Sequence, residues 1–70
     1  MTPKRFKHIR ARAGYTQERL GRHLGVATRS VRRYEAGDRA ISGPVIILME
    51  VLLFQTDRRH RRPQALRGRT

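Results

Sequence analysis

The sequence predicts an all-α domain of four helices, with room for a fifth, followed by a disordered basic tail. Apolar residues recur at three- and four-residue intervals in four segments, and glycines separate these segments. At 70 residues, the chain is long enough for one domain at most. Such a chain buries only ~60% of the surface that its unfolded form exposes. We therefore expect a domain over residues 3–55 and a tail over residues 57–70, with a stability that depends strongly on helix caps or a second subunit.

The first predicted helix follows Pro3, a residue suited to the first turn of a helix. Phe6, Ile9 and Ala13 recur at helical spacing, and Gly14 ends the segment. Lysine and arginine occupy most of the remaining positions around them. This pattern predicts a helix with one apolar stripe toward the core.

The second predicted helix begins after Thr16, which we expect to cap it, and ends near Leu24. Gly21 lies in its middle at a propensity cost of ~1 kcal/mol relative to Ala, which suggests a close helix contact. Gly25 supplies the left-handed residue of a short turn. We therefore expect this helix to cross the next one closely.

The third predicted helix runs from about Ala27 to Ala36, and Pro44 opens the fourth. The fourth helix is apolar on two opposite stripes. The stripe predicted to face the core comprises Val45, Leu48, Met49 and Leu52. The second stripe comprises Ile47, Val51 and Phe54. It needs a partner of its own, either a fifth helix or a second copy of the chain.

The charge of the chain indicates a polyanionic partner. Lys and Arg number 17 against five acidic residues, for a formal charge of +12, and 15 of the 17 are Arg. Guanidinium groups bind phosphate and the guanine edge bidentately, so this excess favours nucleic acid over generic acidic surfaces. A merely solubilising surface is the alternative, but so large a charge costs stability by self-repulsion.

Several classes of site are absent from the sequence. The chain has no cysteine, and His8, His23 and His60 have no companion ligands at metal-binding spacing. It also has no paired carboxylates, Ser/His/Asp grouping or Gly-rich phosphate loop, so we expect neither an enzyme nor a cofactor. The apolar run 45–54 is about half as long as a bilayer span and contains Glu50. With no secretory signal either, we expect a soluble cytoplasmic protein.

The most specific pattern is TQERLGRHLGVATRSVRRYEAG over residues 16–37. It resembles the helix-turn-helix segment of lambda-repressor and Cro (XRE-type) regulators. These typically show a Thr-Gln start, a small residue five positions on, a turn Gly, and Tyr or Trp followed by Glu and Gly. The resemblance covers about residues 6–53 and implies a lambda-repressor-like DNA-binding domain. It also implies that Gln17 bonds a backbone phosphate, and that Arg10 and Glu35 form a largely buried ion pair between the first and third helices.

The third helix supplies the residues expected to read DNA. Its outward faces carry Thr28, Arg29, Arg32 and Arg33, whereas Val31, Tyr34 and Glu35 point toward the domain. Arg29 and Arg33, one turn apart, are predicted to reach guanine edges, and Thr28 to touch a base or a thymine methyl group. Ala27 stands where the family commonly has a capping Ser or Thr, which leaves open the alternative that Thr28 caps the helix. The predicted phosphate contacts are Gln17, Ser30, Arg32 and Arg39.

The resemblance and the charge together predict a sequence-specific regulator of transcription that binds duplex DNA. We expect a homodimeric repressor on an inverted repeat with half-sites ~34 Å apart, and Ile47, Val51 and Phe54 at the two-fold interface. Its expected role is autoregulation of a phage or mobile-element operon, including operons that carry anti-CRISPR genes, and DNA binding would place it at the nucleoid. Two alternatives stay open. One is an antitoxin whose fourth helix holds a protein partner, and the other is a basic protein that binds DNA or RNA without sequence preference.

Overall fold

A computed structural model of the protein describes the backbone of residues 1–67 and the side chains of residues 1–59. Within these residues the chain forms four helices and no strand: α1 (Pro3–Arg12), α2 (Gln17–Leu24), α3 (Thr28–Ala36) and α4 (Gly43–Arg67). The all-α prediction is confirmed. The first three helices lie where the apolar spacing and the glycines placed them.

Local chemistry explains where α2 and α3 begin and end. The Thr16 hydroxyl accepts a hydrogen bond from a backbone N–H three residues on (3.1 Å) and caps α2, as predicted. Gly25 and Gly37 end α2 and α3 in the left-handed region, at φ of 76° and 79°. Ala27 has no polar side chain, so α3 starts without a side-chain cap. Thr28 is the first helical residue of α3 and is not its N-cap.

One hydrophobic core joins the four helices. Phe6 and Ile9 of α1 and Val31 of α3 are completely buried, and the ring centroids of Phe6 and Tyr34 are 5.5 Å apart. The other buried apolar side chains are Leu20, Leu24, Val45, Met49 and Leu52. Because Tyr34 is buried in this core, it packs α3 against α1, as expected of a core residue.

The outer face of α4 is wider than predicted. Val45, Met49 and Leu52 are buried as expected, but Leu48 is 41% exposed. At 3.6 residues per turn, Leu48 lies about 100° around the helix from Met49, which is completely buried. The prediction that Leu48 faces the core is therefore wrong, because the helices on the core side of α4 do not reach that far around it.

Two ion pairs join α1 to α4. Arg5 donates to Glu50 at 3.1 Å, and Arg12 donates to Asp57 at 2.7 Å. The pairs are two turns apart on both helices and follow the same order, so α1 and α4 run parallel. All four side chains are about half exposed, so each pair contributes no more than ~1 kcal/mol. Their value is mainly in fixing the register of the two helices.

The helix α4 continues beyond residue 55, the predicted end of the domain, while the flexibility predicted for residues 57–70 stays a prediction. Thr56 is buried, and Asp57 is tied to α1. These contacts hold the helix beyond the predicted end of the domain at residue 55, and the helical backbone reaches Arg67. Composition alone suggested a tail because the segment contains few apolar residues and many arginines. Residues 68–70 of the predicted tail lie outside the described residues.

The α2 and α3 helices approach each other closely at Gly21, which is buried. A Cβ atom at this position would lie 2.8 Å from the carbonyl oxygen of Val26 and 3.4 Å from the backbone nitrogen of Thr28. The Val26 N–H donates to the Gly21 carbonyl oxygen at 2.9 Å, which ties the two segments together. The close contact predicted from this mid-helix glycine is confirmed.

Arg10 and Glu35 form a largely buried ion pair, with side chains 15% and 6% exposed. The Arg10 guanidinium donates to both carboxylate oxygens of Glu35 and, through Nη1, to the carbonyl oxygen of Tyr15 at 2.8 Å. One side chain of α1 thus connects the α1–α2 turn to the last turns of α3. This pair sets the position of α3 relative to the beginning of α2.

Replacing Gly21 with Val should lower the free energy of unfolding by ~1–3 kcal/mol, because a branched side chain would overpack the α2–α3 contact. Arg22→Val introduces the same side chain at an exposed position of the same helix and is the matched control. The control should change stability by less than ~1 kcal/mol. Urea unfolding followed by circular dichroism measures both values, and equal stabilities would contradict the close contact.

The substitution Arg10→Met should lower the free energy of unfolding by ~3–5 kcal/mol, because it leaves the Glu35 carboxylate buried without its partner. Arg5→Met removes a half-exposed ion pair instead and should cost no more than ~1 kcal/mol. The double variant Arg10→Met/Glu35→Leu should be more stable than Arg10→Met, since no charge is then stranded. Chemical denaturation of the three variants tests this order. Equal destabilisation by Arg10→Met and Arg5→Met would refute the structural role of the buried pair.

Candidate nucleic-acid interface

The outward face of α3 is basic over residues 29–33. Arg29, Arg32 and Arg33 are exposed, whereas Val31 and Tyr34 on the opposite side are buried. At 100° per residue, Arg29 lies at the centre of this face, with Arg32 and Arg33 on either side of it. The three positions span about 6 Å along the helix axis. The core contacts of α3 therefore present three guanidinium groups together on one surface.

The single carboxylate of α3 does not neutralise this basic face. Glu35 points inward, where it accepts hydrogen bonds from Arg10 and Gln17. Two further carboxylates, those of Glu50 and Asp57, belong to α4 and are paired with α1. Within the described residues, the guanidinium groups of the α3 face have no carboxylate partner. Their mutual repulsion is relieved when an external anion binds, and phosphate and guanine suit the guanidinium fork best.

Gln17, a predicted phosphate contact, is the first residue of α2 and is partly buried. Its side-chain Nε2 donates to Oε1 of Glu35 at 3.1 Å, so it belongs to the same network as Arg10. A primary amide has two hydrogens, and this contact uses one of them. The first backbone N–H groups of a helix have no partner within that helix and attract anions. Gln17 therefore links a potential phosphate site at the start of α2 to the body of α3.

Ser30 and Arg39, two other predicted phosphate contacts, lie side by side. Arg39 Nη1 donates to the Ser30 hydroxyl oxygen at 3.5 Å, and the Arg39 guanidinium lies 6.0 Å from the centroid of the Tyr34 ring. The aromatic ring thus supports an exposed arginine of the loop between α3 and α4. No sequence pattern predicted this stacking, because the loop conformation after Gly37 decides it.

Thr28 is partly buried at the first position of α3, directly before Arg29. Its hydroxyl makes no hydrogen bond to another described residue. It stands at the end of α3 where the helix dipole is positive. Thr28 and Arg29 therefore lie at the N-terminal end of the basic face, and Arg33 lies one turn further along the helix.

A basic and aromatic cluster beside α2 was missed from the sequence. The rings of Tyr15 and His23 meet edge to face at 5.4 Å, and the Arg19 guanidinium lies 6.0 Å from the Tyr15 ring centroid. Together with Arg22, these side chains line an open cleft. Spacings of four, seven and eight residues from Tyr15 could have revealed this shared face. The cluster forms a second positive surface, on a different side of α2 from Gln17.

The residues predicted to form a two-fold interface occupy a different part of the molecule. Ile47, Val51 and Phe54 share one exposed face of α4, opposite the buried side of that helix. They are not part of the basic face of α3. A protein bound at this α4 face and a polyanion bound at α3 would thus use separate surfaces.

The described residues contain no group of three His, Asp or Glu side chains placed to hold a metal ion. Among the same residues, no helix combines the length and the hydropathy that crossing a bilayer requires. Neither observation adds a site to the basic surface.

Comparison with known proteins agrees with this geometry. A family model described as helix-turn-helix, HTH_3, matches residues 6–56, which include most of α1, all of α2 and α3, and the first half of α4. No match was found among the curated proteins or among the solved structures. The matched family consists of DNA-binding regulators and is not a family of enzymes. The chain belongs to the XRE, or lambda-repressor-like, helix-turn-helix family of DNA-binding regulators.

Proposed function

We propose that this protein is a sequence-specific transcriptional repressor that binds an inverted-repeat operator as a dimer. One observation carries the proposal: α3 exposes three guanidinium groups while its only carboxylate is turned inward to Arg10. In a DNA-binding helix-turn-helix protein, this helix is the one that enters the major groove. Occupation of an operator excludes other proteins from the same duplex, so repression is the regulatory outcome that we propose.

Arg29 and Arg33 are the proposed base-reading residues. They lie one turn apart on the exposed face of α3, and a guanidinium group can donate two hydrogen bonds to O6 and N7 of guanine. Thr28 precedes them and does not cap the helix, so its hydroxyl and methyl groups are proposed to meet a base or a thymine methyl group. We therefore expect guanine at two positions of each half-site.

The proposed phosphate contacts surround these base-reading residues. Gln17 lies at the start of α2, Ser30 and Arg39 lie together beside α3, and Arg32 flanks Arg29 on the basic face. Contacts to phosphate set the orientation of a protein on duplex DNA but carry no sequence information directly. Their placement on both sides of α3 supports an arrangement in which the helix is held in the groove by the two adjoining backbones.

Two copies are required to read an inverted repeat, because each subunit reads one half-site about one helical turn, ~34 Å, from the other. The exposed apolar face of α4 is the surface that we propose for the contact between them. Autoregulation of a phage or mobile-element operon remains a prediction from the family resemblance, as do placement at the nucleoid and the antitoxin alternative.

A charge-driven binder of DNA or RNA without sequence preference is the second candidate. It is favoured by the end of α4, where Arg58 and Arg59 are exposed and Arg61, Arg62 and Arg67 follow in the sequence. Such a protein would depend on salt as steeply as a specific one. The two candidates differ in discrimination, because a specific reader should prefer its own site by ~1,000-fold or more.

Selection from a random duplex library at physiological salt should recover an inverted repeat with the unaltered protein. The double variant Arg29→Ala/Arg33→Ala should recover a motif that is relaxed at one or two base pairs per half-site, since each bidentate base contact is worth ~1–3 kcal/mol of discrimination. Sequencing of the bound duplexes measures the change.

The matched control is Lys7→Ala/Arg22→Ala, which removes two positive charges from exposed positions of α1 and α2. It should weaken binding but leave the selected sequence unchanged. An unaltered protein that enriches no sequence would contradict specific reading and favour the charge-driven candidate. Relaxation of the same base pairs in the control would remove Arg29 and Arg33 from their proposed role.

Replacing Arg59, Arg61 and Arg62 with Gln should weaken the binding of all duplexes about equally. The side chains at positions 60–70 lie outside the described residues, and their contact with phosphate is a prediction from the sequence. The slope of log K against log salt should become shallower by up to ~0.9 for each phosphate that the variant no longer neutralises. Titrations at several salt concentrations, with selected and scrambled duplexes, measure both effects. A variant that no longer prefers the selected duplex would contradict a purely electrostatic role.

A further inference from the structure

The face of α4 that points away from the core forms a narrow apolar stripe. Ile47, Val51 and Phe54 are 65%, 46% and 62% exposed, and the 41% exposed Leu48 widens the stripe on one side. Steps of four and three residues place Ile47, Val51 and Phe54 on one line along the helix, which is the spacing of a helix–helix seam. Along the other edge lies the Arg5–Glu50 ion pair. The stripe therefore runs along the helix from Ile47 to Phe54, with Leu48 on one side and the Arg5–Glu50 pair on the other.

A second copy of the chain suits this stripe better than a partner of another kind. The stripe is uncharged at its centre, so it offers nothing specific to an acidic protein, and it extends only about 10 Å along the axis. Two such stripes related by a two-fold axis can match each other, because an isologous contact pairs each position with a complementary one on the same surface. This inference rests on the proposed function, in which two copies meet on one operator.

The residue that continues the stripe decides how two copies can be oriented. Arg58 follows Phe54 by four residues, and its guanidinium lies 5.9 Å from the centroid of the Phe54 ring. If two α4 helices packed in parallel, Arg58 would meet Arg58 of the partner subunit, and the arginines that follow would lie next to their counterparts. If they packed antiparallel about the middle of the stripe, the two Arg58 positions would be about 22 Å apart along the axis. That distance exceeds the Debye length of about 8 Å at physiological ionic strength, so their repulsion would be screened.

We propose that α4 packs against α4 of a second copy in antiparallel orientation, with Val51 close to the two-fold axis and Ile47 against Phe54 of the partner subunit. Leu48 lies at the edge of this contact, on the side opposite the Arg5–Glu50 pair. The arginine-rich ends of the two α4 helices then extend away from each other, one beyond each end of the apolar contact.

Cysteine cross-linking tests the orientation directly, because the native chain contains no cysteine. Val51→Cys should form a disulfide-linked dimer on oxidation, since the two copies of this position approach each other at the axis. Ile47→Cys alone and Phe54→Cys alone should cross-link poorly. An equimolar mixture of these two variants, equilibrated to exchange subunits before oxidation, should cross-link severalfold more than either alone. Arg22→Cys, at an exposed position of α2, is the control for random collision.

The opposite pattern would overturn the antiparallel arrangement: efficient cross-linking of Ile47→Cys alone and of Phe54→Cys alone, with no gain on mixing. Cross-linking of Val51→Cys no better than that of Arg22→Cys would overturn the use of this face by a second copy. Sedimentation gives a second measurement, in which Val51→Glu should be monomeric, whereas Ala11→Glu, at an exposed position of α1, should remain dimeric. A dimer that persists in Val51→Glu would also refute the proposal.

The proposed function is tested separately by the selection of duplex sequences. If the protein recovers an inverted repeat while Val51→Cys fails to cross-link, this inference fails and the proposed function stands. If Val51→Cys cross-links and the mixture behaves as expected while no sequence is enriched, the interface stands and specific DNA reading fails. Circular dichroism of each variant confirms that the helices are intact before either comparison is made.

Discussion

The ion pair between Arg10 and Glu35 is the interaction that connects α1, the beginning of α2 and α3. Arg10 belongs to α1 and also donates to the backbone at Tyr15, while Glu35 belongs to α3 and also accepts from Gln17 at the start of α2. A buried pair of this kind adds little net stability compared with apolar residues of similar size, but stranding either charge is costly. Its contribution is therefore mainly geometric, since it allows one arrangement of α1, α2 and α3.

The same pair shapes the electrostatics of α3. By drawing the only carboxylate of α3 inward, Arg10 leaves Arg29, Arg32 and Arg33 as the charges that solvent or a ligand meets. The Gln17 amide is anchored on that carboxylate too. A phosphate bound at the beginning of α2 and a base edge bound at α3 would thus be positioned by one shared group. The position of α3 relative to bound DNA would therefore depend on Arg10 and Glu35, two side chains that are themselves largely buried.

Local chemistry determines the parts of the fold that the sequence predicts well. Thr16, Gly21, Gly25 and Gly37 each act within a few residues or at one contact, and their roles can be recognised from spacing.

The length of α4 could not be predicted in this way. Beyond residue 55, α4 is in contact with the domain through the buried Thr56 and through the pairing of Asp57 with Arg12, and contacts between residues far apart in the sequence cannot be recognised from composition. The exposure of Leu48 likewise depends on how far neighbouring helices reach around α4. The contacts of Gln17 and Arg39 were not predictable either, because both require the folded positions of α2 and the loop after α3.

Because its core is small and its positive charge is large, the stability of this domain should depend on what it binds. Few side chains are completely buried, and a charge of +12 on 70 residues destabilises the compact state by self-repulsion. A polyanion bound at the α3 face would relieve that repulsion, and a second copy bound at the proposed α4 interface would remove exposed apolar surface from water. Any ligand that binds only the folded chain stabilises it, by about 2.7 kcal/mol at a hundred times its Kd. Because the two surfaces lie on different helices of one core, each binding event should increase the population that is competent for the other, even without a change of shape.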